Sequence, residues 1–514
     1  MKPWYIVLAV VVAALVAGTA WLVLARTKDA AAPAATAPRI VGTWTLPAIR
    51  LAGFQESLFP GASYSPIPVP PNGAAADRLV ELGGIGSDLY HVPGASPDEF
   101  WMITDRGPNG ETAEDFPAYP ETKTFVAPWF TPTILHVRTS GKEIEILGAI
   151  PLVGTDGKPV GGLPNLGVTS PTDPESSYDD PPLAYNGRPT PAIRYSPAGL
   201  DTEAVVRTAA GGFWIADEYS PSIVHISADG RVLERIVPNG LPLTAGYAVT
   251  GNPVVDDGKT ASPSTAVPAI YQLRKKNRGF EALALSPSGR YLFVGLQSPL
   301  QNPDGDAGDA SLNTRILRYD LDGRAFTAEY VFRFQPAAEY EEGAESGDLK
   351  LSAMAALDDD TLLVEERTDA VAKVYLTELS GATSILGTWD SWGGAKQPAF
   401  LGDVTVPRAS SATSGDLSLE QQSAGELAGN GIVPAVKERL VFESDESSGL
   451  PKIEGVAVLS ETLIALSTDN DFGVQAGGEG VAYDKATGNM LLTGVPSQIL
   501  QIELGRALPK MAMK

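Results

Sequence analysis

Charged side chains recur in this chain at one kind of place, directly behind short apolar runs. "FWMITDRG" ends in Asp105 and Arg106, "FWIADEYSP" in Asp217 and Glu218, "LLVEERTD" in Glu365, Glu366 and Arg367, and "LIALSTDNDF" in Asp469, Asn470 and Asp471. Gln297 holds the same place in "YLFVGLQSP". A second set, Glu203, Glu281 and Glu454, stands at the start of a preceding apolar run. Carboxylates gathered from such positions repel one another: at an effective dielectric of about 20, two like charges about 4 Å apart cost about 4 kcal/mol. Arginines (Arg106, Arg278, Arg367), protonation or a bound cation relieve that cost. An all-oxygen donor set of Asp, Glu and Asn suits the hard ion Ca²⁺. The candidate metal ligands are therefore Asp105, Glu203, Asp217, Glu281, Glu454, Asp469 and Asp471. Neighbours in a strand point to opposite faces, so only some of them can share a site.

The elements that must position these residues are strands. From about residue 40 onward, short apolar runs alternate with Gly, Pro, Asp and Asn turns, the pattern of a β protein. One unit repeats: a small or acidic lead-in, a strand, a turn, and a second strand ending in polar residues. Its copies are 83–92 with "FWMITDRG", then 201–221, 279–299, 351–369 and 453–472. Most are followed by another strand pair, at 222–237, 315–334 and 373–387, and the last by "SQILQIELG" (497–505). Four antiparallel strands per unit, repeated about an axis, describe an all-β fold, a β-propeller of five or six four-stranded blades. A β-sandwich array is the alternative, but it does not predict alternating inner and outer hairpins. The last copy has only a third strand of its own, and "GTWTLPAIRLAG" (42–53) is placed to supply the fourth and close the ring. In this fold the start of the first strand and the end of the second lie on one face, so both charged sets meet at one mouth of the channel. Segments 417–428 and 433–442 read as short helices.

The chain has 514 residues, with 38 Lys and Arg against 62 Asp and Glu and a net charge of −24. Such acidity repels phosphate backbones and argues against nucleic acid as a partner; it also keeps an exported protein soluble. There is no cysteine, which excludes disulfides, thiolate metal sites and a Cys nucleophile. The three histidines, His91, His136 and His225, each follow or sit in apolar strands and read as structural. Residues 4–25 are almost wholly apolar, long enough at about 1.5 Å per residue to span a bilayer core of about 30 Å. We expect residues 1–28 to be a signal peptide or membrane anchor, 29–40 a flexible linker, and 41–510 the propeller domain. The only expected membrane contact is through residues 4–25, and the expected location is extracytoplasmic: secreted, periplasmic or anchored to the outer face of the cell membrane.

The set "EFWMITDRGPN", "GFWIADEYSPSIVHISADGRVLERIVP", "NRGFEALALSPSGRYLFVGLQSPL", "RILRYDL", "LLVEERTD" and "KIEGVAVL…DNDF" resembles the phytase-like family, also described by its esterase-like activity of phytase. The match runs in order over most of residues 78–505. The resemblance implies an exported bacterial β-propeller with hydrolase activity on esters or phosphate esters; fold transfers better than substrate. The residues by themselves fit a phosphoesterase. A calcium ion on Asp and Glu would neutralise a phosphate and polarise a water. Arg106, Arg278 and Arg367 could clamp its oxygens, and Glu218 could act as general base. A serine esterase fits less well, because there is no G-x-S-x-G elbow. Other classes are a non-catalytic propeller that binds a ligand or protein at the cell surface, and a lactonase-type propeller hydrolase.

Other stretches imitate sites. "GNPVVDDGKT" (251–260) has six residues between its glycines, where a phosphate-binding loop has four. "NPDGDAGDASLN" (302–313) lacks the closing Glu of a calcium loop. "EYEEGAESGD" (339–348) reads as a solvated acidic loop, and Trp129, Trp389 and Trp392 as packing residues.

Overall fold

The inner strands of this protein, such as Phe213–Asp217 and Tyr291–Leu296, are mostly apolar because both faces of their sheets are covered, whereas outer strands such as Glu143–Pro151 and Val436–Glu443 are partly exposed. We describe it from a computed structural model. The described residues are 37–61, 78–113, 122–165, 183–185, 189–192, 195–241, 243, 245–250, 265–389, 417–444, 450, 452–477 and 479–509. Five sets of four antiparallel strands follow one another. Sheet I is Asp88–Tyr90, Glu99–Ile103, Thr133–Ser140 and Glu143–Pro151. Sheet II is Thr202–Arg207, Phe213–Asp217, Ser222–Ile226 and Val232–Ile236, with Ala248–Thr250 added in parallel at its edge. Sheet III is Phe280–Leu285, Tyr291–Leu296, Asn313–Asp320 and Ala325–Arg333. Sheet IV is Lys350–Ala356, Thr361–Arg367, Ala372–Glu378 and Val436–Glu443, and sheet V is Ile453–Ser460, Leu463–Thr468, Gln498–Glu503 and Arg39–Thr45.

The first strand of each sheet touches the first strand of the next, and that of sheet V touches that of sheet I, so the ring closes. This is a β-propeller. A core fills each gap between sheets: Ile103, Ile134, Val205 and Ile215 between I and II, and Trp214, Val294 and Leu317 between II and III. Phe293, Tyr330 and Leu362 lie between III and IV, Val374, Val456 and Leu466 between IV and V, and Met102, Ala465 and Ile499 between V and I. Each buried Val, Leu, Ile, Phe or Met among them contributes about 1.5–3 kcal/mol on burial. Arg39–Thr45 does supply the fourth strand of the last sheet, pairing antiparallel with Gln498–Glu503. Two histidines serve packing: His136 stacks on Trp101 and His225 on Trp214, each pair directly opposite across neighbouring strands.

Two local expectations are corrected. Residues 433–442 are not a helix. Val436–Glu443 is the outer strand of sheet IV, and it takes the place expected for the second half of 373–387. Its 436–442 stretch reads as amphipathic at either period, and the open edge of Ala372–Glu378 decides for strand. Of 417–428, only Ala424–Gly429 is α-helical, started by a capping box between Ser423 and Glu426. In 302–313, Asp304 caps the short helix Gly305–Ala310 and Asp309 pairs with Lys275 at 2.6 Å. Trp389 packs with Val331 and Leu419. Among the described residues no helix is long and apolar enough to cross a membrane; residues 4–25, 251–260 and Trp392 lie outside the described residues.

Candidate functional site

A bulge near the start of the first strand recurs around the ring. In sheet II the pairing slips between Thr202 and Ala204, in sheet III between Phe280 and Ala282, in sheet IV between Leu351 and Ala353, and in sheet V between Ile453 and Gly455. The extra residues are Glu203, Glu281, Ser352 and Glu454. A bulge re-aims its side chain, and the three glutamates turn into the channel mouth. Just past the second strand, the N–H groups of Asp105, Glu218, Gln297 and Asp469 donate to the carbonyls of Gly84, Asp201, Gly279 and Lys452; Arg367 stands opposite Lys350. All five of these strand-end residues line the same pocket. Close approach here needs glycine: a Cβ on Gly279 would lie 2.0 Å from the Glu218 carbonyl oxygen.

The pocket has a volume of about 480 Å³ and is lined by nine carboxylates and six cationic side chains. One wall is a small six-stranded sheet that includes Asn109–Thr112, Lys123–Phe125 and Glu479–Val481, bringing Glu111 and Lys123 to the site. The cations divide by how fully they are engaged. Arg106 bonds Asp201 (2.6 Å) and Asn277 (2.6 Å) and lies 3.9 Å from Glu218. Arg367 bonds Glu454 and reaches Asp369 at 3.3 Å. Among the described residues Arg278 has only a long bond to Ser298, 3.4 Å, and burial lowers its pKa. Lys350 bonds the exposed Asp369, and burial with Arg367 and Arg278 nearby brings it down to about 8.

The acids form two close groups, Asp201 with Glu203 and Glu218, and Asp105 with Asp469 and Asp471; within each, one oxygen per residue lies within 4.8 Å of the others. Burial pushes Asp201 up to about 8 against the pull of Arg106. Burial and then Asp201, Glu281 and Glu218 raise Glu203 well above the carboxylate range. Burial with Glu218 and Glu454 does the same to Glu281, and burial with Asp469 and Asp201 to Asp105. Burial carries Asp469 up to about 7, while at Asp471 Lys452 outweighs burial and holds the carboxyl below its usual range. Among the described residues, Glu218 Oε2, Glu281 Oε2 and Asp469 Oδ1 are buried without a hydrogen-bond partner. Uncompensated buried oxygens of this kind fit a bound cation.

The structure thus brings together Asp105, Arg106, Glu203, Glu218, Arg278, Glu281, Arg367, Glu454, Asp469 and Asp471. It does not bring in Asp217. One position before Glu218 on an alternating strand, Asp217 points the other way; it is fully buried, pairs with Arg235, and accepts from Ser222 (2.7 Å) and the Asp201 N–H (2.9 Å). Glu366 is likewise turned away, toward Lys437 (2.6 Å) and Tyr340. Sequence reasoning missed Asp201, Lys350, Lys452 and Lys123. The first three carry a signal, since each is the lead-in residue of its repeat. Lys123 carries none, because its wall is an insertion outside the repeat.

A sequence model described as "Phytase-like: Esterase-like activity of phytase" matches residues 80–472. A curated protein from Arthroderma benhamiae, named "Uncharacterized secreted protein", is 29% identical over 288 residues. That match covers 51% of this chain and 54% of the relative, so the chain spans about half the relative's length. Similar solved structures include the PQQ-bound aldose sugar dehydrogenase from Streptomyces coelicolor, with TM-score 0.28, 11% identity, 85% of this chain and 100% of that chain. Another is the Cps50 (Swd1) β-propeller domain from Myceliophteria thermophila, with TM-score 0.27, 11% identity, 82% of this chain and 97% of that chain.

Proposed function

This chain belongs to the phytase-like family, described by its esterase-like activity of phytase, and from that premise we propose an exported, five-bladed β-propeller hydrolase that cleaves phosphate esters or other esters with the help of calcium. The observation that carries this reading is one pocket in which the buried Glu218 Oε2 and Glu281 Oε2, without a hydrogen-bond partner among the described residues, stand beside Arg278, which pairs with no carboxylate among those residues. Glu203 and Asp201, with Glu281, would hold the ion. When bound, it neutralises an ester oxygen and makes water more acidic. Glu218 takes the proton of the attacking water, since its unbonded Oε2 keeps a lone pair free. Arg278 and Lys350 bind the oxygens of the ester's acid group. Arg367 donates to Glu454, and Arg106 donates to Asn277 while ion-paired with Asp201, so both position pocket acids rather than clamp the substrate. Export is supported by the apolar segment 4–25 and by the secreted relative.

The test is turnover of an aryl phosphate, phytate, an aryl ester and a lactone by the purified protein, with Ca²⁺ and with chelator. Calcium-stimulated cleavage of an ester, lost in Glu281→Gln, is the expected result. No turnover, with thermal stability unmoved by chelator, would leave a non-catalytic ligand-binding propeller and sink both claims.

A further inference from the structure

The two carboxylate groups differ in one residue type at one structural position. In sheet II the carbonyl that accepts the Glu218 N–H belongs to Asp201; in sheet V the carbonyl that accepts the Asp469 N–H belongs to Lys452. The same place in the repeat thus supplies an acid to one group and an ammonium to the other. The Lys452 Nζ lies 2.9 Å from Asp471, 3.4 Å from Asp469 and 3.4 Å from Glu454. Asp471 reaches it from a left-handed backbone conformation (φ 46°), followed by Phe472 (φ 56°). Such conformations cost energy in non-glycine residues, and here the turn delivers a carboxylate to the lysine.

We infer that Lys452 is the built-in counter-cation of the Asp105–Asp469–Asp471 group, so that this group takes no divalent ion in the native chain and the pocket has a single calcium seat, at Asp201 and Glu203 with Glu281. A Ca²⁺ touching the Asp469 and Asp471 oxygens at about 2.3–2.6 Å would fall beside an ammonium already within bonding range of both. In the other group, Asp201 with Glu203 and Glu218, the paired cation reaches Asp201 and Glu218 but not Glu203. Arg106 bonds Asp201 at 2.6 Å and stands 3.9 Å from Glu218. Glu203, within 4.8 Å of Asp201 and Glu218 by one oxygen each, has no Lys or Arg ion pair among the described residues. The location of the single seat rests on the calcium reading above, whereas the role of Lys452 does not.

Calorimetric titration of the native protein and of Lys452→Gln with Ca²⁺ alone tests this. One ion per chain is expected for the native protein and two for the variant, the second event disappearing in Lys452→Gln with Asp471→Asn. If Lys452→Gln folds only in added Ca²⁺, that also supports the inference. Lys452→Arg, which keeps a cation, must retain the native count. A native chain that binds two ions, or a folded Lys452→Gln that gains none, overturns the inference. A native chain that binds none while Lys452→Gln binds one upholds the role of Lys452 and removes the calcium seat instead.

Discussion

The raised carboxyl groups of the pocket tie its calcium dependence to pH. Asp201 is held protonated up to about 8, while unfolded it titrates near 3.8. The folded state therefore binds the extra proton between those values. By linkage, stability present at low pH is lost as pH rises through the folded pKa, at about 1.4 kcal/mol per pH unit for each retained proton. The window is pH 6.5 to 8, in which Asp88, raised by burial to about 8 outside the pocket, adds to the same slope. Below it, His91 and His225, lowered by burial, add stability as pH rises. Acids held below their ordinary values, such as Asp320 and Asp484, act only at still lower pH. Above it, Lys350 begins to add stability. Across that window one retained proton costs about 2 kcal/mol, a sizeable part of a net stability of about 5–15 kcal/mol. Ca²⁺ binds the ionised acids, so it should reverse the trend, contributing about 2.7 kcal/mol at a hundredfold excess over Kd. Denaturant unfolding at pH 6.5, 7, 7.5 and 8, in chelator and in Ca²⁺, reads both effects. Glu203→Gln should abolish the calcium response while part of the chelator slope, carried by Asp201 and Asp88, remains. A chelated native protein as stable at pH 8 as at pH 6.5 would refute the reasoning.

Three further outcomes are expected. Asp217→Ala strands the fully buried Arg235 and should cost about 3–5 kcal/mol in denaturant unfolding, while the folded variant keeps the native calcium response. Gly279→Ala must push back the Glu218 carbonyl, 2.0 Å from the new Cβ, so turnover should fall while calcium binding at Glu203 persists. Arg278→Ala should cut kcat/KM at least about tenfold, the effect of losing charge-assisted hydrogen bonds worth about 1.5–3 kcal/mol, with unfolding little changed because Arg278 holds no carboxylate.

Much of this arrangement was legible because it repeats. The "DTEAV…FWIADE" and "KIEGV…LSTDND" copies set their glutamates at the same step of the strand, and the structure explains the recurrence by a bulge that one copy alone would not reveal. What the sequence concealed was direction. Asp217 and Glu218 are neighbours of like charge, and only the pairing of Phe213–Asp217 decides which of them faces the channel. The lysines were missed for a related reason: Lys350 and Lys452 look like solvated lead-ins until the carbonyl partners of Arg367 and Asp469 place them at the pocket. Val436–Glu443 was misread because its side chains fit either period, and a partner strand far away in sequence chose between them.

The closing contact between Arg39–Thr45 and Gln498–Glu503 works as a clasp of six residue pairs that joins the start of the described chain to its end. During synthesis the early half of this clasp must wait, its edge unpaired and open to stray pairing, until nearly everything else has been made. The loop it then shuts is very long, but loop closure grows costlier only with the logarithm of length, and the apolar faces of sheets V and I drive it. Opening the clasp leaves the outermost strand of one sheet bare while every inner strand stays paired. A protease or a steady pull acting near residue 39 would therefore meet the ring at its one seam, on the outer circumference and away from the mouth that holds the carboxylates.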